Sequence, residues 1–495
     1  MPPAEAAVAA RAPAPPPTVD GAIAGWGGGP RVLVRVTRAT GYDELRAAVL
    51  AAGPAGALAR GMGRSYGDAA QLRGGLVLDT TRLRSFELDR ERGVVTAQAG
   101  VTLGELLGAL EPEGWVLPVV PGTQHVSVGG AIASDIHGKN HGAAGTFGMH
   151  VRALGLLTAS GEVLELAPER NGELLAATIG GMGLTGVILW AAITLRPLRS
   201  AVMAVDTDRV EQLDDALAVL DGPGGAHRVA WLDLLSHRLV RGVVTRAEHL
   251  LEDPLAAEAA AGGGIGAGGG IGAWGGIGAG GGAGAANAAA AANRTTVAAR
   301  LTLPPRWPGA LLRTGVVRAY NEYRFRSTPR HAAGHPEPFG AHMFPLDVLN
   351  AWPRLYGAAG FVQYQLVVPR GAERALEQVI ARLRRSTVPC YLSVLKDFGD
   401  ENHAPLSFPL RGWTLTLDLP GSAQGLGALL DAFDDIVAQA GGRVYLAKDG
   451  RLRAATLAAM YPRLERWRAV RDQIDPERRW RSDLAVRTGL VEAAR

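Results

Sequence analysis

Four glycine loops crowd residues 60 to 186: RGMGRSYGD (60 to 68), PGTQHVSVGGA (121 to 131), HGKNHG (137 to 142) and GGMGLTG (180 to 186). Glycine lets a backbone approach a ligand closely and turn successive N–H groups toward an anion, so several such loops together can cradle a diphosphate without a Walker sequence. Tight turns between strands would account for each loop singly. They do not account for the polar residues the loops share, namely Arg64, Ser65, Tyr66 and Asp68 in the first and His137, Lys139 and Asn140 in the third. A chain built this way folds around a large nucleotide-like ligand.

The last loop carries Gly181, Gly183 and Gly186 in GxGxxG order, the letters of a dinucleotide fingerprint. That fingerprint must open a helix, whereas the following VILWAAITL is β-branched and aromatic and predicts a strand, which disfavours a Rossmann NAD site. Elsewhere RVLVRV (31 to 36), GLVLDT, SFELD and VVTAQAG read as short strands, and GYDELRAAVLAAG (41 to 53) and a segment starting near Thr102 read as helices. From about 200 to 440 the pattern changes to longer alternating strands such as FVQYQLVVP and WTLTLDLP, with a helix at 372 to 384. The expectation is an α+β fold: a Pro/Ala-rich disordered tail over 1–25, a ligand-binding domain over 26–200, a sheet-containing second domain over 201–440, and a 441–495 segment returning to the first. An Ala/Gly insert at about 256–293 cannot bury enough surface to order itself and is expected to be disordered.

No run approaches the roughly 20 apolar residues of a membrane helix, and the first 20 residues lack the compact apolar core of a cleavable signal. The lone Cys390 excludes an internal disulfide and disfavours a cysteine metal site, and the histidines show no HExxH spacing, so no metal is expected. Net charge is +4 with basic residues spread along the chain, which argues against nucleic acid and is compatible with an anionic substrate or lipid surface.

The basic residues are uneven in kind: of 51 Lys plus Arg only Lys139, Lys396 and Lys448 are lysines. On a solvated surface the two cations are largely exchangeable, but only lysine offers an amine that loses its proton when desolvated. The three lysines are therefore candidates for chemistry.

RGMGRSYGD, PGTQHVSVGGAIASDIHGKNH and GGMGLTG, in this order, resemble the FAD-binding loops of the vanillyl-alcohol-oxidase-type flavoenzymes. Within that superfamily DIHGKNH, QYQ (363 to 365), LKDFG (395 to 399), NHAPLSFP (402 to 409) and YLAKDGR (445 to 451) are similar to the decaprenylphosphoryl-β-D-ribose 2′-oxidase family, over about residues 26 to 487. The resemblance implies a two-domain FAD-binding fold with a substrate cap. It also implies non-covalent FAD and oxidation of a polyprenylphosphoryl ribose at the 2′-hydroxyl, the first half of an epimerisation toward the arabinose donor of cell-wall arabinan. A separate NAD(P)H-dependent keto-reductase would complete it, and peripheral membrane contact, on the cytoplasmic or cell-envelope side, would suit the lipid substrate.

By the same resemblance the cofactor contacts fall on Arg60, Gly61, Gly63, Arg64, Ser65, Gly67, Asp68, Gly122, Ser127, Val128, Gly129, Gly130, Ser134, Ile136, His137, Gly138, Asn140, Ile188 and Tyr445. Substrate contacts fall on Trp231, Arg354, Gln363, Gln365, Lys396, Phe398, Thr414 and Thr416, and catalytic roles on Lys448, Lys139, His137 and Tyr66. Lys448 is the expected base, with Lys396 and Arg354 holding phosphate or sugar oxygens. His137, a covalent flavin attachment point in the wider superfamily, is expected to make a non-covalent contact here. Thr414 stands where the family has a hydrogen-bonding Asn, Thr416 replaces another small pocket residue, and Met343 takes an aromatic position. Two rival readings stay open: a soluble FAD oxidase of free sugars, alditols or aldonolactones, and a non-catalytic flavin- or lipid-binding protein.

Overall fold

The computed structural model describes residues 15–236, 240–252, 294–305 and 312–491. The Ala/Gly insert expected at 256–293 lies outside these residues, as do residues 1–14. The architecture is the α+β fold expected.

A four-stranded sheet opens the chain in the order β1 (Thr18–Ile23), β2 (Val32–Arg38), β4 (Leu76–Asp79), β3 (Ala57–Arg60), with β2, β4 and β3 parallel. The strand at Thr18–Ile23 corrects the expectation of disorder through residue 25: it runs antiparallel to β2 with Thr18 opposite Thr37. Val19 is 68% exposed, so backbone pairing rather than burial holds this strand, and hydrophobic patterning does not register such a partner. An antiparallel sheet follows in the order β5 (Phe86–Asp89), β6 (Val94–Gln98), β10 (Val187–Thr194), β8 (Val151–Leu157), β9 (Val163–Leu166). VILWAAITL is thus a strand, and the GxGxxG before it opens no helix.

The third sheet positions the site. Its order is β16 (His331–Pro338), β12 (Val202–Val210), β14 (Arg241–His249), β13 (His227–Asp233), β19 (Leu392–Phe398), β20 (Gly412–Pro420), β18 (Phe361–Pro369), β21 (Arg443–Val444), antiparallel throughout. Side chains alternate between its faces. Ala230, Leu232, Leu366, Leu395, Leu415, Leu417 and Leu419 point to a core shared with the helices Leu213–Asp221, Glu373–Arg385 and Leu426–Gln439. Each such leucine contributes about 1.5–3 kcal/mol by leaving water, which fixes the register and hands the other face to the intervening residues. On that face stand Val229, Trp231, Val243, Thr245, Leu392, Val394, Lys396, Thr416 and Gln363, and they line a cleft against the glycine loops.

The end of the chain ties these parts together. Leu457 and Trp467 join the core of the third sheet, the Trp467 indole donates to the Ala177 carbonyl, and Trp480 packs with Leu45 and Leu76 near the first sheet.

Candidate active site

Loop 60–68 is pinned from both ends of the chain. The Trp26 N–H donates to the Ser65 carbonyl at 2.8 Å, Arg64 stacks over the Trp26 ring, and the Tyr66 N–H donates to the Ala447 carbonyl at 2.9 Å. Gly67 is what allows this closeness: a Cβ there would lie 1.8 Å from the Asp449 carbonyl oxygen. The consequence is that Lys448 Nζ sits 5.4 Å from the centre of the Tyr66 ring. Asp68 points away from the cleft and is clamped by Arg487, which also pairs with Asp449 at 2.8 Å.

Ser127 caps the short helix Val128–Ala133, and its hydroxyl fills the place a side chain at Gly61 would need, 2.1 Å from that position. The Tyr445 hydroxyl donates to the Ser134 carbonyl at 2.8 Å. Asp135, in a left-handed conformation, is fully buried and accepts from Asn402 Nδ2 and Ser407 Oγ, both at 2.6 Å, and from the Gly148 N–H at 3.0 Å. Burial raises its pKa while those donors oppose the rise. This carboxylate locks DIHGKNH to NHAPLSFP, so His137 is carried on a braced loop.

His137 is buried against Phe398 and Tyr445. Gln365 Nε2 donates to His137 Nε2 at 3.0 Å and to Thr414 Oγ1 at 2.9 Å, and the Thr414 hydroxyl donates to the Leu366 carbonyl at 2.8 Å. With Nε2 accepting, the ring proton belongs on Nδ1. Burial, then the charges of Lys396 and Lys448, hold His137 well below the usual histidine range, so it is neutral. Beside it Gln363 Nε2 donates to Asp418 at 2.7 Å.

The three lysines meet in this cleft. Burial pushes Lys448 down to about 8, with nearby Asp418 opposing the fall. Burial and the neighbouring Lys448 and Lys139 bring Lys396 to about 7. Burial brings Lys139 to about 8 against the pull of Glu337, and its Nζ donates to the His342 carbonyl. Asp418 is pushed well up by burial, and so is the Tyr66 phenol, which therefore keeps its proton.

Of the residues expected to touch cofactor, Arg60, Gly61, Gly63, Arg64, Ser65, Gly122, Ser127, Gly129, Gly130, Ser134, Ile136, His137, Gly138, Ile188 and Tyr445 line the cleft, as do Tyr66, Trp231, Gln363, Thr416 and the three lysines. Gly67, Asp68, Val128, Asn140, Gln365, Phe398 and Thr414 stand behind its wall. Arg354 is not brought to it: its guanidinium donates to the Leu303 carbonyl from the turn Trp352–Tyr356. Trp26, Asp418 and Arg324 also line or support the cleft, and none is among the residues expected from the sequence. Asp418 shares strand parity with Thr414 and Thr416 and was open to the same alternation count. Arg324 carried no signal, because it reaches the cleft only through the placement of its helix, Thr314–Ser327.

FAD fits this cavity. Along the cleft glycines allow close backbone approach, Arg60 and Arg64 supply positive charge, and Arg64 Nε, His137 Nδ1 and Gln363 Oε1 are buried without a hydrogen-bond partner among the described residues.

Comparison with known proteins agrees. The FAD binding domain family matches residues 30–167, and the D-arabinono-1,4-lactone oxidase family matches residues 421–488. The chain is 37% identical to decaprenylphosphoryl-beta-D-ribose oxidase of Mycolicibacterium smegmatis over 96% of its own length and 99% of that protein. It is 36% identical to an uncharacterized protein in the mprA 5′ region of Streptomyces coelicolor over 79% and 100% of the two chains. It is also 34% identical to L-gulonolactone oxidase of Bos taurus over 28% and 31%. This chain is an FAD-dependent oxidoreductase acting on CH–OH groups, and it belongs to the decaprenylphosphoryl-β-D-ribose oxidase family.

Proposed function

We propose that the chain oxidises the 2′-hydroxyl of a polyprenylphosphoryl-β-D-ribose to the 2′-keto sugar. The observation that carries this reading is the convergence of the only three lysines of the sequence on one cleft, beside neutral His137 and the sheet face that bears Gln363 and Thr416.

In this reading Lys448 is the base. Its amine is poised near neutrality by burial, and Asp418 stabilises the ammonium it becomes on taking the hydroxyl proton. Lys396, brought to about 7 by burial and by the other two lysines, donates an amine hydrogen bond to a sugar oxygen, and Lys139 binds oxygens farther out. Tyr66, held protonated, is a donor and not a second base. His137 orients through its Gln365 contact and presents its Nδ1–H. Gln363 and Thr416 contact the sugar and Trp231 the substrate beyond it, while Gln365, Phe398 and Thr414 fix the groups that do.

Arg60, Arg64 and the N–H groups of Gly61, Gly63, Gly122 and Gly138 would hold FAD, with Gly129, Gly130, Ile188 and Tyr445 against it, non-covalently. FAD supplies the acceptor for the hydride that leaves the sugar carbon. The keto sugar would pass to an NAD(P)H-dependent keto-reductase, giving the arabinose donor of cell-wall arabinan. Peripheral contact with a membrane would deliver the lipid-linked substrate; no described helix is long and apolar enough to cross one.

The test is anaerobic absorbance of the purified holoenzyme on adding polyprenylphosphoryl ribose, with free ribose and xylitol as controls. Bleaching of the flavin bands by the lipid-linked sugar alone is expected. Bleaching by a free polyol would move the chain to the soluble oxidases, and absence of bleaching by any of them would remove the catalytic reading.

A further inference from the structure

The outer end of the cleft holds a cation that the proposed chemistry does not use. Arg324 lines the cleft from the helix Thr314–Ser327 and is only 8% exposed. Its guanidinium lies 4.5 Å over the Trp231 ring. The helix is clamped to the sheet: Asn321 donates to Asp233 at 2.8 Å, and Arg241 bridges Asp233 and Glu322. Arg324 is therefore a fixed part of the wall and not a surface side chain that strays inward. Lys139 stands on the facing loop and its amine feels the Arg324 charge. Among the described residues lining this side the carboxylate is Glu337, which bonds to His342 at 3.3 Å.

The neighbours of Trp231 on the sheet are apolar. Val229 precedes it on β13, Val243 lies opposite on β14, and Leu392 and Val394 come from β19. From Trp231 across Val394 to Thr416 is two strand spacings, about 10 Å, so a sugar beside Thr416 has the arginine within reach of a phosphodiester substituent. A cationic pair beside an apolar floor matches a phosphodiester joining a sugar to a hydrocarbon chain.

We propose that Arg324, with Lys139, forms the anion subsite that takes the phosphodiester of the lipid-linked sugar. This rests on the reading given under Proposed function and replaces Arg354, whose guanidinium is turned to Leu303. Trp231 serves as the stacking platform that keeps the guanidinium plane in place.

The test compares wild-type, R324Q and R324K holoenzymes on farnesylphosphoryl ribose and on a phosphate-free farnesyl riboside. It reads the half-saturating concentration and the limiting rate of anaerobic flavin bleaching. R324Q should raise the half-saturating concentration for the phosphorylated substrate about tenfold to a hundredfold, the span of one charge-assisted hydrogen bond. Its limiting rate and its behaviour toward the neutral riboside should stay unchanged, and R324K should recover part of the loss. Equal losses on both substrates, or no loss in R324Q, would overturn the subsite. Inorganic phosphate competing as tightly as farnesyl phosphate would overturn its assignment to the lipid-linked sugar. If the wild type is bleached by neither substrate, the proposed activity fails rather than the subsite; bound FAD in each variant reports folding independently.

Discussion

If Lys448 is the base, flavin reduction must follow the neutral fraction of its amine. An ordinary lysine with a pKa near 10.4 is about 0.04% neutral at pH 7, whereas one at about 8 is about 10% neutral, a gain of roughly 250-fold. The sign is fixed by which form reacts. Only the unprotonated amine accepts the hydroxyl proton, so the limiting rate of anaerobic bleaching should climb close to tenfold per pH unit from 6 to 7, reach half its maximum near 8, and level off above. K448R keeps a cation beside Tyr66 and Asp418 but cannot lose its proton, so it should lower the limiting rate by about 10²–10⁴ and flatten the pH profile. Stopped-flow absorbance at saturating substrate makes the measurement, with FAD content verifying that the variant is loaded. A K448R enzyme within threefold of wild type, or one that retains the rising limb, refutes the assignment.

Gly67→Ala should lower FAD retention, because its Cβ would meet the Asp449 carbonyl at 1.8 Å and force 447–450 away from Tyr66; Gly427→Ala, in the helix Leu426–Gln439 with nothing within 4 Å, should instead be neutral or stabilising by about 0.5–1 kcal/mol in urea unfolding. Asp135→Ala strands the donors of Asn402, Ser407 and Gly148 and should cost roughly 3–5 kcal/mol; a loss under about 1 kcal/mol would show that the two loops are held without it. Thr414→Val keeps the shape but removes the acceptor for Gln365, so it should slow bleaching by freeing His137 while lowering stability by only about 1–2 kcal/mol; unchanged kinetics would mean the His137 orientation is set by Phe398 and Tyr445 alone.

Much of the sheet scaffold was readable in the sequence because it follows a period of two. FVQYQLVVP is β18 over Phe361–Pro369, and WTLTLDLP falls within β20, because leucines at alternate positions bury against helices and leave the polar set on the other face. The strand at Thr18–Ile23 escaped notice because its stability comes from pairing with β2, whose edge is specified elsewhere in the chain. The same divide runs through the site. Gly67 and Lys448 both belong to recognisable strings, yet nothing local states that the first must lack a side chain so that the second can pass. Asp135 sits inside DIHGKNH, but its work is done by Asn402 and Ser407, more than 260 residues later. Arg354 and Arg324 differ only in where a turn and a helix aim them, which depends on tertiary packing.

The scarcity of lysine takes on a physical meaning once the cleft is assembled. Arg60, Arg64 and Arg324 line it together with Lys139, Lys396 and Lys448, so this one cavity contains both kinds of cation. Burial brings the Arg324 guanidinium down only to about 10, leaving it charged at neutral pH, whereas the same cause carries the lysines to about 7 or 8. An arginine in this cleft can therefore bind an anion but cannot exchange a proton with the substrate. A lysine can do either, and which it does is decided by its neighbours: Asp418 favours the charged form of Lys448, and the other two lysines disfavour that of Lys396. The groups that stay charged throughout the neutral range are arginines, and the groups that can exchange a proton there are the three amines. The compositional bias thus fits the proposed division of labour, in which Arg324 with Lys139 takes the substrate anion and Lys448 takes the hydroxyl proton.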